Sequence, residues 1–71
     1  MKIENLRVGQ IVKCPSDSGQ NSYKGKVLSF GVDIHKNIYR VDYVWVSVEH
    51  VLLFGESKRV TVWPSNRLVA I

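Results

Sequence analysis

Valine dominates the apolar part of this chain. Twelve of the 71 residues are valine and five are isoleucine, whereas alanine occurs once, at Ala70. β-Branched side chains are stiff at χ1 and pack well on a pleated sheet, while alanine is the best helix former. The composition therefore predicts an all-β chain and disfavours a helical one.

The length limits the chain to one domain. A chain of 71 residues buries only about 60% of its unfolded surface, so disulfides, metals or oligomerisation commonly add stability at this size. The single cysteine, Cys14, excludes an internal disulfide and a cysteine-rich zinc site. We expect a lead-in over residues 1–7 and one domain over residues 8–71, with homo-oligomerisation as the remaining source of stability.

Short alternating segments separated by turn-forming residues predict several strands. The predicted strands cover residues 8–14, 23–30, 38–43, 44–48, 50–54, 59–63 and 68–71. The connecting loops and turns are predicted at residues 16–22, 31–37, 55–58 and 64–67, the last as one 3₁₀ turn. Gly25, inside the second strand, indicates a bend or a close backbone approach.

The apolar parity changes between Tyr43 and Trp45, which predicts a β-bulge or kink at that point. Five or six short strands in so small a chain favour a strongly bent, SH3-like barrel. The residues expected in its core are Val12, Val27, Val41, Val46, Val60, Val62 and Leu68. On this assignment Val62→Asp should abolish folding, because an unpaired buried charge is intolerable in a small core.

The net charge of +4, from ten Lys and Arg against six Asp and Glu, favours either solubility or attraction to a polyanion. No apolar run approaches the about 20 residues of a membrane helix, and the start of the chain lacks the apolar segment of a signal peptide. We therefore expect no membrane partner and, because the thiol is unpaired, a cytoplasmic location.

Basic and aromatic residues are interleaved along the predicted strands. Cations neutralise phosphates and aromatic rings stack on bases, so this pattern favours nucleic-acid binding. The predicted binding residues are Tyr23, Lys24, Lys26, Arg59, Thr61 and Trp63, and similar residues occur at Lys13, Tyr39, Arg40, Tyr43, Trp45 and Arg67. The alternative interpretation places the aromatics in the core or at a subunit interface and leaves the lysines solvated.

Catalytic and metal chemistry have weaker support in the sequence. Cys14, His35 and His50 lack the spacing of a metal site, and no strained nucleophile turn is recognisable. No catalytic residue, metal ligand or cofactor is predicted.

Short motifs resemble known small barrels. Residues 62–68, with Trp63-Pro64 before a turn, are similar to the end of SH3 domains, and residues 9–12 with 23–27 resemble Tudor and KOW modules. Residues 60–64 also resemble the Val-Gln-Ile-Tyr-Pro pore strand of plasmid-borne type II dihydrofolate reductases. That resemblance implies an SH3-like barrel and an oligomeric enzyme with a shared pore, in which the family's glutamine falls at Thr61.

Taken together, these patterns predict a non-enzymatic binding module with nucleic acid as its ligand. The resemblance to the plasmid-borne enzymes, with the single-domain size, implies an origin in a phage or other mobile element. Two alternatives stay open at this point. One is an oligomeric enzyme like the type II dihydrofolate reductases, and the other is a protein-interaction or regulatory module.

Overall fold

The computed structural model describes residues 1–15, 22–51 and 59–71. In these ranges the strands are β1 (Ile11–Cys14), β2 (Tyr23–Phe30), β3 (His35–Lys36), β4 (Asp42–Tyr43), β5 (Trp45–His50), β6 (Val60–Pro64) and β7 (Val69–Ala70). Two 3₁₀ turns cover Ile3–Asn5 and Ser65–Arg67. The described residues include no helix with the length and apolar character needed to cross a membrane.

Five strands form one antiparallel sheet in the order β6-β5-β2-β1-β7, and β3 pairs with β4 as a separate two-stranded ribbon. The register of the main sheet shifts between Val27 and Ser29 on β2, where a β-bulge bends the strand. The predicted all-β, small barrel-like architecture is confirmed. The SH3-like family relationship stays a prediction.

One face of the main sheet encloses the hydrophobic core. Alternate residues of β1, β2 and β5 point to it, and the lead-in and the last turn close it from the side. The core consists of Leu6, Val12, Cys14, Val27, Val44, Val46, Val48, Trp63 and Leu68. Because Leu6 is fully enclosed, the lead-in contributes to the core as well as preceding it.

The kink predicted between Tyr43 and Trp45 is confirmed. Val44 lies between β4 and β5, and its buried N–H donates to Ser65 Oγ at 3.1 Å. The Ser65 N–H donates in turn to the Val44 carbonyl at 2.9 Å. Since this exchange fixes the backbone of Val44 outside the ladder, Val46 and Val48 enter the core in the new parity.

Two predicted strands are shorter than expected. The first begins at Ile11 because Gly9, with φ 87°, turns the chain just before it. The strand predicted at 38–43 shrinks to β4, since Asn37 starts a turn over the next three residues. His35 and Lys36, predicted within a turn, form β3 instead.

The predicted core is right at four of seven positions and wrong at three. Val12, Val27, Val46 and Leu68 are fully buried, but Val41 is 45% exposed and Val60 and Val62 are each 57% exposed. On β6 the inward positions belong to Thr61 and Trp63, because Trp63 lies directly opposite buried Val46. The expectation that Val62→Asp abolishes folding therefore has no basis.

The C-terminal predictions agree with the structure. The turn predicted at residues 64–67 is the 3₁₀ turn Ser65–Arg67, and the last strand is β7. The hairpin loop predicted at residues 55–58, most of the loop at 16–22 and most of the strand at 50–54 lie outside the described residues.

Candidate nucleic-acid interface

The alternation of β2 divides the predicted binding residues between two faces of the sheet. Tyr23, Gly25 and Val27 point towards the core side, whereas Lys24 and Lys26 are exposed on the outer side. The inner side also carries Thr61 and Trp63 of β6. Five of the six predicted residues therefore divide into an inner cluster and an outer basic face, and the sixth, Arg59, belongs to neither.

The inner cluster is a closed set of hydrogen bonds. The indole N–H of Trp63 donates to Tyr23 Oη at 2.8 Å and to Thr61 Oγ1 at 3.1 Å. The two hydroxyl groups lie 3.0 Å apart and share a further hydrogen bond. Because Trp63 is buried, its ring is unable to stack on a base, and the cluster stabilises the fold at this end of the sheet.

Three further groups surround this cluster. The rings of Tyr23 and His50 lie 4.3 Å apart, and the Arg67 guanidinium sits 5.5 Å above the Trp63 ring in a cation–π contact. Burial raises the pKa of the Cys14 thiol, although a hydrogen bond with Tyr23 opposes that shift. The thiol is therefore neutral at neutral pH, and a neutral thiol is a poor nucleophile.

Gly25 allows the sheet to close over this cluster. A Cβ atom at Gly25 would collide with Val48 Cγ1 and would lie 3.1 Å from Cys14 Sγ. The close contacts at this glycine are therefore with side chains of the two neighbouring strands and not with backbone as predicted, since the nearest backbone atom, the Glu49 carbonyl oxygen, would lie at an ordinary 3.5 Å. The same tight packing fixes the strand whose outer side carries Lys24 and Lys26.

The outer side of β1 and β2 presents three exposed lysines, which we call the lysine face: Lys13, Lys24 and Lys26. Lys13 lies directly opposite Lys24 in the antiparallel register, and Lys26 lies opposite Ile11 on β1 and Glu49 on β5. Like charges directly opposite each other destabilise a sheet. Neither Lys13 nor Lys24 has an ion-pair partner among the described residues.

The exposed tryptophan of the main sheet is Trp45 rather than Trp63. Trp45 is 45% exposed at the start of β5, and Tyr43 contacts it edge-on with ring centroids 5.5 Å apart. His35 stacks on Tyr43 from the hairpin side, also at 5.5 Å. Trp45 therefore offers a supported aromatic surface on the outer side of the sheet, the same side as the lysine face.

Lys13 and Trp45 are among the interleaved basic and aromatic residues of the sequence, but both lie outside the predicted binding set. The outward orientation of Trp45 follows from the parity of Val46 and Val48. Because successive residues of a strand point to opposite faces, an inward valine at position 46 places the side chain at position 45 on the outer face. For Lys13, the same argument follows from Val12 and Cys14.

Arg59 stands apart from the lysine face. It precedes β6, its carbonyl accepts the His50 N–H at 2.7 Å, and its side chain is exposed. Since β5 lies between β6 and β2, Arg59 reaches the basic surface only from the far side of that strand. The part of the chain that the structure describes contains no group of three side chains able to hold a metal ion.

Comparisons with protein-family models, with curated proteins and with solved structures gave no match to this chain.

Proposed function

We propose that this protein is a non-enzymatic binding module whose lysine face holds the phosphate backbone of a nucleic acid. The observation that carries the proposal is the direct cross-strand pairing of Lys13 with Lys24. Two ammonium groups held side by side on a rigid sheet repel each other, and a phosphate placed between them converts that repulsion into attraction. Lys26 extends the same surface by one row.

The overall charge supports this ligand class. The net charge of +4 is sufficient to attract a polyanion over a distance of about one Debye length. Phosphate contacts carry no sequence information by themselves. We therefore expect binding with little sequence preference and with strong dependence on salt.

Trp45 directs the proposal towards single strands. It lies four residues along β5 from Glu49, the position opposite Lys26, which is a separation of about 13 Å. An exposed ring at that distance can stack on an unpaired base of a strand whose phosphates lie on the lysine face. In a duplex the bases are already stacked, so Trp45 adds nothing there.

The main test replaces the pair Lys13→Glu/Lys24→Glu and measures binding to a labelled single-stranded oligonucleotide by fluorescence anisotropy. A Glu–Glu pair preserves the like-charge repulsion across the strands, so the folded state is matched while the attraction for phosphate is lost. We expect affinity to fall at least about tenfold at about 50 mM salt, and the slope of log K against log salt to fall by about 1.4.

The control is Lys2→Glu/Arg40→Glu, two exposed cations away from the lysine face. Each replacement changes the charge by two, so both double variants go from +4 to a formal charge of 0. The proposal fails if the wild-type chain does not bind at low salt, or if the control loses as much affinity as the lysine variant.

Trp45→Ala gives a second arm of the same experiment. It should weaken single-strand binding by about 1–3 kcal/mol and leave the salt slope unchanged, because it removes stacking and no charge. Duplex binding should not change. Equal losses on both nucleic acids would show that Trp45 acts through the fold.

The other predicted functions have less support. The resemblance to type II dihydrofolate reductases gives Thr61 the place of the pore glutamine, but the Thr61 hydroxyl is bonded to Tyr23 and Trp63. No observation on the described residues favours the reductase or the protein-interaction module. The cytoplasmic location and the origin in a mobile element likewise stay predictions.

A further inference from the structure

The ribbon of β3 and β4, which we call the hairpin (residues 32–43), has a rigid tip. Asn37 caps it, because its side-chain oxygen accepts the N–H groups of Tyr39 at 2.9 Å and Val41 at 3.2 Å. The Arg40 N–H donates to the Asn37 carbonyl at 2.9 Å, and Arg40 itself has φ 58°. This is a three-residue hairpin loop with a left-handed last residue, a position that usually holds glycine.

The side chains that this rigid loop presents are large and apolar. Ile38 is 89% exposed and Tyr39 is 78% exposed, at the two central positions of the turn over residues 37–40, which accept most residue types. Val32 at the base of the hairpin is 91% exposed, Ile34 is mostly exposed and Val41 is about half-exposed. Large apolar side chains that cluster on one exposed segment are typical of a contact surface.

An apolar groove lies where the hairpin meets the lead-in. It has a volume of about 680 Å³, and its walls include Met1, Ile3, Ile34 and Val41. Asn66 of the second 3₁₀ turn also lines it, and Asn66 Oδ1 is buried with no hydrogen-bond partner among the described residues. That oxygen is shielded from the open groove, so the surface that the groove offers to an occupant is mainly apolar.

Charge indicates which occupant fits. The hairpin contains two acids, Asp33 and Asp42, and two cations, Lys36 and Arg40, so its net charge is 0 while the rest of the chain carries the whole +4. Lys36 and Asp42 also face each other at 3.9 Å. Two copies of this chain repel each other when their lysine faces meet but not when their hairpins do.

We propose that two copies of this chain associate through their hairpins. In this dimer the hairpin tip of each copy, with Ile38 and Tyr39, lies in the groove of the other. A reciprocal contact of this kind is a closed two-fold interface, which uses the same surface on both molecules.

The exposed area is of the size that such an interface needs. Five hairpin side chains are involved, Val32, Ile34, Ile38, Tyr39 and Val41. At about 100 Å² each they present on the order of 500 Å² of apolar surface. A standard interface buries about 800 Å² per partner, of which about 60% is apolar, so the hairpin supplies roughly the apolar part of one side.

Analytical ultracentrifugation of the full chain, from about 1 µM to about 1 mM, tests this proposal over the range in which small interfaces associate. The wild type should show a monomer–dimer equilibrium. The tip variant Ile38→Ser/Tyr39→Ser should raise the dimer Kd at least about tenfold. Ile38→Arg alone tests the same surface if circular dichroism shows that the tip variant is less folded.

Val60→Ser/Val62→Ser is the matched control, because Val60 and Val62 are equally apolar, each 57% exposed, and lie on β6 instead of the hairpin. It should leave the Kd unchanged. A monomer at every concentration would overturn the proposal, and so would a dimer that responds to the control and not to the tip variant.

Discussion

The main sheet and the hairpin use the same β-branched residues in opposite ways. In β5 the side chains of Val46 and Val48 are completely enclosed, whereas in the hairpin Ile38 and Val32 are almost completely exposed. Strand β5 has a neighbour on each side and lies over a layer formed by the lead-in and the last turn. The hairpin has only two paired residues in each strand. Burial here depends on how many elements surround a residue, and not on its type.

The largest expected effect comes from a charged side chain, placed at an inward position of the main sheet in one variant and at an outward position in another. Val46→Asp should leave the chain unfolded, because an unpaired carboxylate in the core costs more than the whole stability of a domain this small. Val62→Asp, on the adjacent strand but pointing outward, should keep the fold and cost no more than about 1 kcal/mol. Far-UV circular dichroism and urea unfolding measure both.

A native spectrum for Val46→Asp would show that the core is not where the sheet places it. Loss of folding in Val62→Asp would show that the outer side of β6 is covered in solution, and that result would also count against the use of Val60 and Val62 as a control surface.

The second-largest effect is expected when a glycine in the main sheet is replaced. Gly25→Ala should lower the free energy of unfolding by about 2–3 kcal/mol, because the added methyl group meets Val48 and Cys14 in a packed core. Gly31→Ala is the control, since a Cβ there would meet only the Trp45 carbonyl oxygen at an ordinary 3.8 Å. It should be neutral or slightly stabilising. Similar losses in both variants would point to backbone flexibility as the cause.

The smallest effect belongs to the hairpin. Arg40→Gly should stabilise the hairpin by about 1 kcal/mol, because glycine adopts φ 58° without the strain that a side chain brings. Arg40→Lys keeps that strain and should change nothing. Hydrogen exchange of the hairpin amides, compared with those of β5, measures the effect; slower exchange in the main sheet as well would mean that the two regions unfold together.

The sequence allowed several local features to be predicted correctly. The valine-rich composition predicts the all-β class, and the predicted bounds of β2 agree with the structure at both ends. The change of parity around Val44 predicts the kink between β4 and β5. Each of these follows from local stereochemistry over a few residues. The alternation on β6 is equally clear in the sequence, but it does not show which set of alternate residues faces the core. The prediction that the more hydrophobic set, with Val60 and Val62, faces inward is wrong.

The candidate site was predicted only in part. Lys24 and Lys26 are on an exposed face as nucleic-acid binding requires, but Trp63 is buried and donates its indole N–H to the hydroxyl groups of Tyr23 and Thr61. Trp63 buries a large ring on the inner side of β6, where its N–H finds an acceptor in Tyr23 Oη. That partner comes from β2, which is 40 residues away along the chain, so no local pattern shows it.

By itself the sequence determined the secondary-structure class, the kink at Val44 and the alternation that separates Lys24 from Tyr23. These features depend on the dihedral angles of neighbouring residues and on the two-residue period with which side chains alternate along a strand. The tertiary structure decided which side of β6 is inside, that Lys13 faces Lys24, and that the hairpin carries its apolar residues outward. Those outcomes depend on strand order and register, which bring distant residues together and choose between alternatives of nearly equal local energy.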